Sequence, residues 1–65
     1  MGISVIKVGD VLIMQNGMLF KITGMHGRWV KCDFLSKDGE WKPRGYCENR
    51  KDLEAKISAG KIKLY

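Results

Sequence analysis

The chain contains one histidine and two cysteines, His26, Cys32 and Cys47, whose side chains could combine in nucleophilic catalysis. A cysteine thiolate next to an imidazole can act as a nucleophile, so these residues are the candidates for an active site. However, His26 lies in Gly24-Met25-His26-Gly27, where we predict a turn with a solvated imidazole. The 65 residues also leave little material to enclose a deep pocket. We therefore interpret the chain as a non-catalytic protein.

Neither cysteine belongs to a C-x-x-C pair, and a closed zinc site needs four ligands. The sequence therefore predicts no metal ion and no other cofactor, and two free thiols in a reducing, cytoplasmic setting. Whether Cys32 and Cys47 lie close together depends on strand pairing, which the sequence leaves open. The longest apolar run, residues 11–14, is far too short to cross a bilayer, so we expect no membrane partner.

The chain carries an excess of positive charge, with 12 Lys and Arg against 7 Asp and Glu and a formal net charge of +5. This bias suits an anionic partner, either nucleic acid (DNA or RNA) or an acidic protein face. Cations interleaved with tryptophans suit phosphate contacts combined with stacking on unpaired bases. We predict one outer binding face made of Lys21, Arg28, Trp29, Lys31, Trp41, Lys42 and Arg44. We predict a second basic patch from Arg50, Lys51, Lys56, Lys61 and Lys63, and interpret Tyr46 and Tyr65 as packing residues.

Strands separated by turns must position that face. Asn16-Gly17 and Asp38-Gly39 are hairpin dipeptides, because both positions tolerate a positive φ. The pattern predicts strands over residues 11–14, 18–23, 28–34 and 40–47, with a further short strand over residues 3–8. Alternation in the third of these puts Val30, Cys32 and Phe34 on one face and Trp29, Lys31 and Asp33 on the other. Pro43 indicates that the fourth strand is an edge strand or bends.

The last third of the chain is predicted to contain a helix followed by a short strand. Residues 51–59 are helix formers, with Asn49 as the N-cap and Asp52 in the first turn, where its charge suits the helix dipole. Gly60 fits the position just after the helix, where a left-handed conformation closes it. Residues 61–65 alternate again and predict a closing strand with Ile62 and Leu64 inward.

This order of elements resembles the SH3-like small barrel, the architecture of SH3, Tudor and KOW domains. The resemblance rests on Val8-Gly9-Asp10-Val11-Leu12-Ile13, on Asn16-Gly17, and on Phe20-Lys21-Ile22-Thr23-Gly24, which look like the Gly-Asp-x-Val start, glycine turn and second strand of a KOW motif. The chain departs from that motif in its short turn, in lacking the second loop glycine, and in its longer helix. It also lacks the aromatic groove with which SH3 domains bind proline-rich peptides.

The resemblance implies a mainly β, SH3-like barrel over residues 1–65, with about five antiparallel strands and one short helix before the last. It also implies similarity to small bacterial or bacteriophage accessory proteins. Composition and resemblance together favour a binding module for nucleic acid, acting as a monomer or small homo-oligomer. The alternative is a protein–protein interaction module that binds an acidic site on a larger host protein. The same basic and aromatic face would serve both functions.

Overall fold

The computed structural model describes residues 6–65 as one antiparallel sheet and one helix. The strands are β1 (Val11–Ile13), β2 (Leu19–His26), β3 (Trp29–Leu35), β4 (Trp41–Asn49) and β5 (Lys63–Leu64), and helix α1 (Arg50–Ser58) precedes the last strand. The strands lie in the order β4-β3-β2-β1-β5, and every pair is antiparallel. This confirms the predicted mainly β fold with five antiparallel strands and a short helix before the last one.

The helix packs on one face of the sheet, which we call the inner face, and the opposite side is the outer face. Leu53 of α1 is fully buried and forms the core with Leu12, Ile22 and Val30, completed by Ile6 and Ile62. Cys32 is also fully buried, as the alternation in β3 predicts. Burial of a leucine or isoleucine stabilises a fold by about 1.5–3 kcal/mol, so this small cluster is the main source of stability.

Local signals define both ends of α1. The Asn49 side chain accepts a hydrogen bond from the Lys51 amide at 2.9 Å, which confirms it as the N-cap. At the other end Gly60 has a φ of +77°, and two backbone bonds run from Lys61 N–H to Lys56 O and from Gly60 N–H to Ile57 O. These two bonds are those of a Schellman motif, which needs a left-handed residue such as glycine.

The turn predicted over residues 24–27 is wrong. Strand β2 continues to His26, and the chain reverses at residues 27–28, where Gly27 has a φ of +61°. The register between β2 and β3 shifts between Ile22 and Gly24, so Thr23 is an extra residue in a β-bulge, and Gly24 stays paired with Lys31. The hairpin is consequently tighter than predicted and brings His26 directly opposite Trp29.

The two edge strands of the sheet, β4 and β5, compare differently with expectation. The prediction for Pro43 is confirmed, because β4 lies at the edge of the sheet. Strand β5 is shorter than predicted, and Leu64 is 48% exposed although it pairs with the buried Leu12, since a two-residue edge strand has a neighbour on one side only. The strand predicted over residues 3–8 falls partly outside the described residues, and residues 6–8 are not in a strand.

Within residues 6–65, no helix has both the length and the apolar composition that crossing a membrane requires.

Candidate functional site

An exposed group of aromatic and basic side chains lies at one end of the outer face. Trp29 pairs with His26 on one side and with Asn49 on the other, and half of its surface, 51%, is exposed. Lys31, two residues along the same strand, pairs with Tyr46, which is 56% exposed. The His26 and Tyr46 rings meet edge to face, with centroids 5.8 Å apart. We call His26, Trp29, Lys31 and Tyr46 the aromatic patch.

A basic groove adjoins the aromatic patch where the β2–β3 turn meets the start of α1. Arg28, Asn49 and Lys51 line this groove, whose volume is about 320 Å³. The Arg28 carbonyl accepts a hydrogen bond from the Arg50 amide at 2.6 Å, which ties the turn to the helix N-terminus. The groove is therefore fixed by backbone contacts, and it combines two cationic side chains with the positive end of a helix dipole.

The cations of the groove and the patch are free of ion pairs within the described chain. Among residues 6–65 the ion pairs join Lys42 to Asp38, Arg50 to Glu54 and Lys56 to Glu48, at N–O distances of 3.6, 3.5 and 2.6 Å. The Glu48 carboxylate raises the pKa of Lys56, so that lysine stays charged and paired. Ion pairs thus partly neutralise the predicted second basic patch. One of its members, Lys51, lines the groove beside Arg28.

The other predicted tryptophan occupies a different environment. Trp41 pairs with Leu35 at the far end of the outer face and is half-buried. The Lys21 ammonium lies 5.1 Å from the centre of the Trp41 ring, within the range of a cation–π contact. Lys21 therefore shares the outer face with Trp29, but Trp41 already has a cationic partner on its ring.

Lys42 and Arg44 do not join the outer face. Lys42 pairs with Phe34, on the same side as the buried Phe20, and its ammonium is 3.6 Å from the Asp38 carboxylate. The Arg44 guanidinium lies 5.1 Å from the centre of the Phe20 ring. The register of β4 shifts between Cys32 and Asp33, so Arg44 is an extra residue in a β-bulge. The seven predicted residues are thus divided between two faces.

The structure separates His26 from the two cysteines. His26 is exposed on the outer face opposite Trp29, whereas Cys32 is buried on the inner face. The thiolate–imidazole pair considered from the sequence is therefore not assembled. Among residues 6–65, no three His, Cys, Asp or Glu side chains are grouped so that they could hold a metal ion.

The sequence predicts other roles for two aromatic-patch residues. Tyr46 is expected to be a packing residue, yet it is exposed, as is Tyr65 at 82%. His26 is expected in a turn, although it ends β2. Each bulge reverses the faces on which the following residues of the strand lie. Alternation along β4 could therefore have predicted that Tyr46 is exposed on the outer face only if the positions of the bulges were known.

Comparisons with known proteins do not narrow the function further. No family model, curated protein or solved structure matches the chain. The function must therefore be inferred from the fold, a small antiparallel sheet with one helix, and from the exposed aromatic patch beside the basic groove.

Proposed function

We propose that this protein is a non-catalytic module that binds single-stranded nucleic acid, with little sequence specificity, through the aromatic patch and the basic groove. The observation that carries the proposal is the half-exposed Trp29 ring next to a groove lined by Arg28 and Lys51, two cations that form no ion pair within residues 6–65. An unpaired base can stack on the ring while the neighbouring phosphates contact the cations. The resemblance of residues 8–24 to a KOW motif supports the same function.

The chemistry of the site favours unpaired bases over a duplex. Trp29 and Tyr46 offer exposed ring surface, and the faces of bases in a duplex are already stacked on one another. Stacking and phosphate contacts use features that every nucleotide has, so binding of this kind tolerates sequence changes. Lys31 lies on the same face as Trp29 and is a third cation that can contact the phosphate backbone of the nucleic acid.

Fluorescence anisotropy with labelled single-stranded DNA and RNA tests this proposal. If Arg28, Lys31 and Lys51 each neutralise one phosphate, the logarithm of the binding constant should fall with the logarithm of salt concentration with a slope of about −2. A duplex of the same sequence is the control and should bind more weakly. Binding that is undetectable, or that does not change with salt, would overturn the proposal.

A second candidate function, binding of a partner protein, is favoured by the far end of the outer face. There Ile13 pairs with Leu19, and Leu35 pairs with Trp41, so apolar side chains form a half-buried row. This second function can be tested by using the immobilised protein to capture partner proteins from a nuclease-treated lysate. The wild type is compared with a Leu35→Glu variant. A stoichiometric protein retained by the wild type and lost with Leu35→Glu would favour this second function. Either function fits a cytoplasmic protein with free thiols.

A further inference from the structure

The two cysteines lie on neighbouring antiparallel strands and share the inner face. Cys32 of β3 pairs with Gly45 of β4, Lys31 pairs with Tyr46, and the register then shifts so that Val30 pairs with Glu48. Cys47 is the extra residue of this second β-bulge in β4, and its side chain packs against the core. The bulge therefore turns Cys47 inward beside Cys32, a proximity that the sequence left open.

The two thiols differ in their access to solvent. Cys47 lines an open cleft of about 380 Å³ on the inner face, together with Met14, Phe20 and Arg44. Cys32 is fully buried and does not line this cleft. A small reagent that enters the cleft consequently meets Cys47 and not Cys32.

The contact between the thiols gives them opposite acid–base behaviour. The Cys32 thiol donates a hydrogen bond to the Cys47 sulfur, which lowers the pKa of Cys47 to about 7. Burial and the Glu48 charge act in the opposite direction, whereas a backbone hydrogen bond at Glu48 and the Arg44 charge add to the lowering. The same contact and burial raise the pKa of Cys32. In its thiol form Cys47 instead donates to the Val30 carbonyl at 3.6 Å.

We propose that Cys47 and Cys32 form an oxidisable dithiol, in which Cys47 is the attacking sulfur and Cys32 the resolving sulfur. The oxidant is a hydroperoxide: the Cys47 thiolate attacks the terminal oxygen, the O–O bond breaks, and an alcohol leaves after taking up a proton. The resulting Cys47 sulfenic acid is attacked by the Cys32 sulfur, forming the S–S bond. The sulfenic hydroxyl leaves with the Cys32 proton as water.

Oxidation by this route links β3 to β4 within one chain and protects Cys47 from further oxidation. A lone accessible thiolate proceeds to sulfinic acid, whereas one with a resolving thiol beside it stops at the disulfide. The bond also adjoins Tyr46, the residue before Cys47 and a member of the aromatic patch. Reversal requires thiol–disulfide exchange with an added dithiol, which becomes oxidised as the two cysteines are reduced.

Intact-mass spectrometry of the reduced full chain tests the proposal directly. After hydrogen peroxide treatment and alkylation, the wild type should be lighter than the reduced chain by two hydrogens and carry no alkyl group. Dithiothreitol should restore two alkylatable thiols. Two alkylatable thiols after peroxide, a disulfide found only between two chains, or sulfinic acid at Cys47 in the wild type would each overturn the proposal.

Two variants separate the roles of the sulfurs. Cys32→Ser should leave Cys47 reactive and carry it to sulfinic acid, whereas Cys47→Ser should leave Cys32 slow to react with peroxide. The rate at which Cys47 of the wild type is alkylated should rise with pH through about 7, the pKa of Cys47. Since Cys32 is in the core, circular dichroism must first show that its variant is folded. Should it be unfolded, the wild-type peptide map after peroxide and the alkylation profile decide the question alone.

Discussion

Replacing Trp29 by alanine should weaken single-stranded nucleic acid binding without unfolding the protein. Trp29 is 51% exposed, so its free surface accommodates one stacked base. Stacking of one base contributes about 1–3 kcal/mol. Since about 1.4 kcal/mol is a factor of ten in an equilibrium constant, the dissociation constant should rise about 5- to 150-fold.

The same exposure limits the loss of stability. Truncating a fully buried aromatic side chain costs about 3–5 kcal/mol, so a half-buried Trp29 should cost about 2 kcal/mol. A domain of this length has a free energy of unfolding of about 3–10 kcal/mol. The Trp29→Ala variant should therefore remain folded at room temperature, and its far-ultraviolet circular dichroism should match that of the wild type.

Fluorescence anisotropy with a labelled oligonucleotide measures the effect, and Met18→Ala is the matched control. Met18 is also an exposed apolar side chain, at 39%, but it precedes β2 at the end opposite His26. We expect Met18→Ala to bind like the wild type. An unchanged dissociation constant for Trp29→Ala, or an equal loss of affinity in both variants, would mean that no base stacks on Trp29.

Three further changes test the groove and the fold. Lys51→Ala should reduce the magnitude of the salt slope by about 0.7, measured by anisotropy, because one phosphate contact is lost; an unchanged slope would remove Lys51 from the site. Leu53→Ala should lower the free energy of unfolding by about 2–5 kcal/mol in urea denaturation, because it leaves a cavity in the core. Gly60→Ala should cost about 1–2 kcal/mol in the same assay, since its φ of +77° is unfavourable for alanine. Ala59→Gly, where the φ of −79° suits either residue, is the comparison for Gly60→Ala and should show a smaller effect.

Features that depend on adjacent residues follow well from the sequence. The N-cap at Asn49 and the left-handed Gly60 follow from the hydrogen-bonding and conformational preferences of single residues. The turn before Gly39 is likewise local, with Gly39 N–H donating to the Ser36 carbonyl. The alternation of Val30 and Cys32 with Trp29 and Lys31 is correct, because β3 is a central strand without an extra residue of its own.

Features that depend on pairing between strands do not follow from the sequence. The two bulges of β4 decide that Arg44 lies over Phe20, that Tyr46 is exposed opposite Lys31, and that Cys47 turns toward Cys32. A bulge has no distinctive residue pattern in that segment, and each extra residue changes the faces of those that follow. The groove joining Arg28 to Lys51 also depends on the pairing of Trp29 with Asn49, which places the start of the helix beside the β2–β3 turn, and alternation within single strands cannot indicate this pairing.

Nuclear magnetic resonance can show directly whether nucleic acid binds at the aromatic patch and the basic groove. Adding single-stranded DNA to the ¹⁵N-labelled protein and following its amide and indole resonances tests this residue by residue. We expect shifts for residues 28–31, for Tyr46, for Lys51 and for the Trp29 indole, with little change in the inner cleft at Met14 and Arg44. Shifts confined to that cleft, or no shifts at an oligonucleotide excess, would contradict it.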